Sequence, residues 1–236
     1  MLCPYTDSLY HHRHMQFIPS IKSHPPSDLW KNCSRLELRF HEPILSPAWV
    51  QRIREGLELR TVHLPLWQLS TSSLDLTRSL LQPPFDLDFL VLPVPVLSDR
   101  TLAFQFLSTI EVLLEMLSGR GIKIALKSQD DPSPLVTLLK SIRADAIGYC
   151  WEARHSECAV IADRIFVAYG TPQDSFQPLY ELGYRWDIGL EVSSPEDFQM
   201  AHARLKHCYP DPIFPKQLPN VSPDPDVSLG EHWNLQ

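Results

Sequence analysis

The chain of 236 residues has only 8 glycines, and they form no glycine-rich phosphate loop of either common pattern. Basic residues are also few: 21 Lys and Arg face 28 Asp and Glu, a formal net charge of −7. Surfaces that track nucleic-acid phosphates carry a basic excess, so nucleic acid is not an expected partner. The five cysteines, Cys3, Cys33, Cys150, Cys158 and Cys208, are odd in number, widely spaced and without a Cys-x-x-Cys pair. Neither a disulfide framework nor a thiolate zinc site is expected, and the pattern reads as thiols in a reducing cytoplasm. No apolar run approaches the roughly 20 residues of a membrane-spanning helix. The opening Met-Leu-Cys-Pro-Tyr-Thr-Asp lacks the basic and apolar segments of a signal peptide. A soluble cytoplasmic protein with no membrane partner is the expectation.

What is present is an alternation of short apolar runs with helical patterns. Arg35 to Phe40 alternates charged and apolar residues with period two, as a half-polar strand does. Ser46-Pro47 then opens a helix through Val50, Ile53 and Leu57, with serine as N-cap and proline in the first turn. Thr61 to Pro65 and Phe89 to Val96 are strands, separated by a polar, leucine-containing connection. Leu102, Phe106, Ile110, Leu113 and Leu117 recur at helical spacing until Gly119 and Gly121 stop the helix. Ile122 to Lys127, Ile147 to Glu152, Arg164 to Tyr169 and Ile188 to Val192 complete the strands. Helices begin at Ser133-Pro134 and Ser194-Pro195, and Asp131 ahead of the first is placed to favour its N-terminus.

Strand followed by helix, repeated, predicts parallel strands with helices outside. Counting Leu2 to Thr6 as the first strand, and Phe17, Ile18 and Ile21 as a short helix, makes eight strands. That number closes a (β/α)8 TIM barrel, in which reactive groups sit at the C-terminal strand ends. An open doubly wound sheet is the competing architecture. The expected organisation is one barrel domain over 1–208, with 1–34 as its ill-defined first unit, and a proline-rich tail over 209–236.

Strand parity sorts the side chains, because alternate residues face opposite sides. The apolar set, including Leu36, Leu38, Val62, Ile124, Ile147, Tyr149, Trp151, Ile188 and Leu190, faces the helices. The other set, Glu37, Arg39, His63, Lys123, Lys127, Cys150, Glu152 and Glu191, faces the barrel axis. An interior ion-pair network explains such charge as readily as a reactive site does.

In the order and spacing of its elements the chain from Leu36 to Leu205 resembles the xylose isomerase-like barrel superfamily. Its members include sugar isomerases, sugar-phosphate isomerase/epimerases and abasic-site nucleases of the type IV endonuclease kind. Leu36-Glu37-Leu38 looks like the family's early Ile-Glu-Leu strand, and Val62-His63-Leu64-Pro65 like its His-x-Pro strand end. Ile147-Gly-Tyr-Cys-Trp-Glu152-Ala-Arg-His155 looks like its Val-Gly-x-x-x-Asp-x-x-His element, and Leu190-Glu191-Val192 like its closing Glu strand.

The resemblance implies a divalent metal (Mn, Mg, Co or Zn) held by carboxylates and an imidazole, and proton transfer beside the carbonyl of a small sugar. Glu152 and Glu191 stand at two ligand positions. Lys127 occupies a third, and Phe166-Val-Ala168-Tyr-Gly170 brings an alanine near the fourth. An ammonium at a metal position removes a ligand and repels the ion, so the site is read as degenerate. For an active enzyme the catalytic candidates are Glu191 as base, Glu152 as its partner, His155 as proton donor or substrate contact, and Lys127 as the cation polarising the carbonyl. Glu37, Arg39 and His63 are candidates for holding substrate. The alternative is a non-catalytic descendant that binds a small ligand or a protein partner. A nuclease needs several metal ligands and a basic groove, which the chain lacks. Expected partners are a small sugar-like molecule and, in a homo-oligomer, further copies of the chain. His11, His12 and His14 read as a solvated terminal cluster, and Trp67 as a residue able to line a sugar pocket.

Overall fold

A computed structural model of the chain describes residues 16–22, 30, 33–65, 71–95, 100–129, 131–142, 144–154, 163–184 and 186–209. Eight parallel strands close into a barrel in sequence order. They are β1 (Gln16–Lys22), β2 (Arg35–Arg39), β3 (Glu58–His63), β4 (Phe89–Pro93), β5 (Lys123–Lys127), β6 (Ile147–Glu152), β7 (Ile165–Gly170) and β8 (Asp187–Glu191), the last pairing back onto β1. The helices are α1 (Pro47–Arg54), α2 (Thr71–Leu80), α3 (Arg100–Leu117), α4 (Ser133–Ser141), α5 (Gln177–Glu181) and α6 (Pro195–Cys208). The fold is a (β/α)8 barrel, and the open-sheet alternative is excluded by the β1–β8 pairing.

Two apolar layers follow from strand parity. The larger lies between barrel and helices, where Leu36, Leu38, Val62, Ile124, Tyr149, Trp151, Ile188 and Leu190 pack with α3 residues such as Phe106, Ile110 and Leu113. The smaller fills the barrel with Phe89, Val91, Ala125, Cys150, Val167 and Tyr169. Serine caps start two helices as expected. Ser46 Oγ accepts from the Ala48 amide at 3.4 Å, and Ser194 Oγ from the Asp197 amide at 3.1 Å. Before α4 the arrangement differs from the simple Ser-Pro start: Asp131 Oδ1 accepts from both the amide and the hydroxyl of Ser133, at 2.9 and 2.8 Å. Gly119 and Gly121 both take φ of 75°, which ends α3 where a side chain would be strained.

Three expectations about elements change. The first strand is Gln16–Lys22, where a short helix was expected, and Leu2 to Thr6 lies outside the described residues. Its central five residues are buried, which erases the period-two signal of a half-exposed strand. The connection between β3 and β4 contains α2. Its buried positions Ser73, Leu76, Thr77 and Leu80 have helical spacing, but two are hydroxyl residues, and Thr77 Oγ1 donates to the Ser73 carbonyl at 2.9 Å. In α1 the buried residue is Trp49, and Leu57 lies beyond the helix. The packed chain extends to Tyr209, whose hydroxyl accepts from the Phe176 amide at 3.0 Å while its ring meets Phe17 and Tyr180. No helix among the described residues is long and apolar enough to cross a membrane.

Candidate functional site

At the C-terminal mouth of the barrel the inward side chains form three contacts. The first is buried. His63 ends β3, and its Nε2 lies 3.2 Å from Glu37 Oε2 of β2, with the two side chains 6% and 1% exposed. With a carboxylate accepting, Nε2 carries the ring proton, and His63 Nδ1 and Glu37 Oε1 have no partner among the described residues. Burial pushes the His63 pKa below its ordinary value, against the opposing pull of Glu37. Glu37 lies over Gly189 of β8. A Cβ at position 189 would collide with Glu37 Oε2, so that glycine leaves the room the carboxylate occupies.

The second contact joins β5, β6 and β7. Glu152 ends β6 with its side chain 6% exposed, and Lys127 Nζ lies 3.4 Å from its Oε1. Tyr169 Oη donates to the same oxygen, and Arg154 donates to Oε2 at 3.0 Å. The Lys127 ammonium also sits 4.3 Å from the centre of the Tyr169 ring, whose edge meets His63 at a centroid distance of 5.4 Å. Tyr169 therefore touches the first two of these contacts.

The third contact is more open. Arg39 ends β2 and its guanidinium reaches Glu191 Oε2 of β8 at 2.9 Å, with side-chain exposures of 14% and 42%. A further nitrogen of Arg39 approaches the Ser20 carbonyl at 3.4 Å. Ser20 is paired in register with both Glu37 and Glu191, so β1 brings the two halves of this sector together.

Of the residues singled out in the sequence, Glu37, Arg39, His63, Lys127, Glu152 and Glu191 thus meet partners in the barrel interior or at its mouth. His155 lies outside the described residues, as do His11, His12, His14 and Trp67. Lys123, assigned to the same inward set, begins β5 at the opposite end, with its ammonium 4.8 Å from the Phe166 ring centre. Cys150 is fully buried inside the barrel, and burial holds its thiol pKa well above the ordinary range.

Tyr169 and Arg154 were missed. Counting alternate positions from buried Ile165 puts Ala168 on the axis. The β6–β7 register, however, shifts between Tyr149 and Cys150, which pair with Ile165 and Val167. One extra residue in β7 reverses parity, turns Ala168 to the helix layer and brings Tyr169 inward.

The donor set does not fit a divalent ion. Both oxygens of Glu152 are taken by Lys127, Tyr169 and Arg154, and Glu191 is held by Arg39. Among the described residues no three His, Cys, Asp or Glu side chains converge as a metal site. The arrangement can instead bind hydroxyls and carbonyl oxygens through Lys127 and Arg39, and accept a proton at Glu191, the least covered carboxylate of the three contacts.

A scan against protein-family models finds no match, and a search of curated proteins finds none. Solved structures do match in fold. A xylose isomerase domain protein from Planctomyces limnophilus superposes with a TM-score of 0.59 at 10% identity, covering 84% of this chain and 97% of that one. An uncharacterised protein from Parabacteroides distasonis gives 0.54 at 12% identity, with 82% and 99% covered. The IolI protein, in a structure holding a zinc atom, gives 0.52 at 10% identity, with 81% and 94% covered. The chain thus shares its (β/α)8 barrel fold with these structures at 10–12% sequence identity.

Proposed function

We propose that this barrel is an isomerase or epimerase of small hydroxylated carbonyl compounds that works without a metal ion. The observation that carries the reading is the Arg39–Glu191 pair. A general base must reach the proton it removes, and Glu191 is a carboxylate at the mouth that remains 42% exposed while anchored at 2.9 Å. Its role is to take the proton from the carbon beside the carbonyl. Lys127, 25% exposed, is the cation that stabilises the oxygen where negative charge develops, the work a metal does in other sites. Glu152 and Tyr169 hold that ammonium in place, and Arg39, His63 and Glu37 bind substrate hydroxyls. The test is incubation with aldoses and ketoses in deuterium oxide with chelator present. Solvent deuterium should appear beside the carbonyl, and Glu191→Gln should abolish its appearance with little change in stability. Exchange that needs added manganese or zinc would sink the metal-free reading.

A second reading, a non-catalytic barrel, draws on the saturation of Glu152 by three protein donors. Under it the charges at the mouth are structural, and no member of the panel exchanges.

A further inference from the structure

The helix that follows β7 is short. Helix α5 has five residues, under two turns, whereas α6 has fourteen. The α6 face that carries Asp197, Met200 and Arg204 borders a cleft of about 480 Å³, closed on its other sides by Glu191 and Ser193 at the end of β8 and by Gln173 after β7. That volume lies in the usual range of small-molecule sites, roughly 300–1,000 Å³.

The cleft has a direction. Glu191 and Asp197 place carboxylates at its mouth end. Arg204 follows Asp197 by seven residues, roughly 10 Å along the helix at about 1.5 Å per residue. Arg204 has no hydrogen bond or ion pair with another described residue. Between the two ends Met200 is 68% exposed and offers an apolar floor. At physiological salt the screening length is about 8 Å, so each end acts mainly on whatever lies nearest. An anionic group is attracted at the Arg204 end, while at the mouth end it meets the Asp197 carboxylate and a Glu191 charge already offset by Arg39.

We propose that this cleft binds a small polyhydroxylated acid. Its hydroxyls meet Glu191, Ser193 and Asp197, its carbon skeleton crosses Met200, and its anionic end group, a carboxylate or a phosphate, sits on Arg204. The assignment of Glu191 to the reactive end rests on the proton-transfer reading above; the binding site itself does not.

The test is titration of the full chain with D-gluconate, D-glucuronate and D-ribose phosphate, each against uncharged D-glucose, by calorimetry and saturation-transfer NMR. At least one acid should bind about tenfold or more tightly than glucose, the size of one charge-assisted hydrogen bond. Arg204→Gln should remove that preference, added salt should weaken it, and Met200→Trp, which fills the cleft, should abolish binding. Whichever acid binds best identifies the end group. Equal affinity for acids and glucose, acid binding untouched by both variants, or no binding of any acid at millimolar concentration overturns the proposal. Acid binding without deuterium exchange upholds the cleft and removes the isomerase reading. Exchange with sugars that is indifferent to Arg204→Gln and Met200→Trp does the reverse.

Discussion

The barrel carries charge at both ends, and the two ends hold it differently. Where the strands begin, Arg35 pairs with Asp187 and lies 3.9 Å from Glu58. Arg60 reaches Glu58 at 2.9 Å and Asp86 at 2.6 Å. Two of these acids are wet, Asp86 at 82% exposed and Glu58 at 41%, and Asp187 is part-covered at 18%. Where the strands end, Glu37 and Glu152 are nearly dry, and each is countered by named neighbours at fixed positions. Exposed pairs contribute about 0–1 kcal/mol and tolerate rearrangement. A buried carboxylate that loses its partner costs about 3–5 kcal/mol, so its surroundings must be built around it. Convergence of charge therefore does not distinguish a site from a rim. Burial combined with incomplete satisfaction is the better guide. The Glu37–His63 pair is nearly dry and leaves Glu37 Oε1 and His63 Nδ1 without partners among the described residues, whereas at the opposite end Arg35 Nε lacks a hydrogen bond on a side chain that is 22% exposed.

Substitutions that separate the two ends follow from this contrast. The largest effect should come from Gly189→Ala, where a methyl group meets the Glu37 carboxylate inside a packed barrel. A loss of about 3 kcal/mol in urea unfolding is expected, since overpacking a core typically costs about 1–3 kcal/mol. A near-neutral result would mean that Glu37 is free to move away.

Next is the matched pair Lys127→Met at the mouth and Arg60→Met at the opposite end. The first removes the ammonium from Glu152, which keeps Arg154 and Tyr169, and should cost about 2 kcal/mol, below the full penalty because Lys127 is itself part-exposed. The second should cost under about 1 kcal/mol. Equal costs would dissolve the distinction between the ends.

A smaller effect depends on pH. His63 titrates below its ordinary value of 6.5 when folded, because burial disfavours the imidazolium. Above that value the ring is neutral in both states. As pH falls through it, the unfolded chain takes up a proton that the folded chain resists, so stability declines until the lower folded value is passed. Thermal unfolding between pH 7 and pH 5 should show that decline, and His63→Gln should flatten it. The smallest effect is chemical. In the native state an alkylating reagent should modify exposed Cys208 readily and leave Cys150 untouched, the latter becoming reactive only on unfolding.

The fold was largely legible because most strands keep their period. Arg35–Arg39 and Ile147–Glu152 appear in the barrel close to where alternation and apolar runs placed them. Legibility failed where burial or chemistry blurred the period. β1 is buried on both faces around Pro19, and α2 buries Ser73 and Thr77, which no hydropathy pattern counts as core. Glu37, His63, Lys127, Glu152 and Glu191 could be picked out because each is a polar residue at an inward parity position of a readable strand. Tyr169 could not, because a single extra residue in β7 reversed the parity count.

The sequence alone determined the class of fold and the end of the barrel at which polar side chains collect. Both follow from short-range regularities, period-two strands and capped helices, that are written into neighbouring residues. The tertiary structure alone decided which of those charges are dry, which atoms pair across strands, and that Glu152 is saturated by Lys127, Arg154 and Tyr169. It also opened the cleft along α6. These depend on register between strands far apart in the chain, where a one-residue shift moves a side chain to another face.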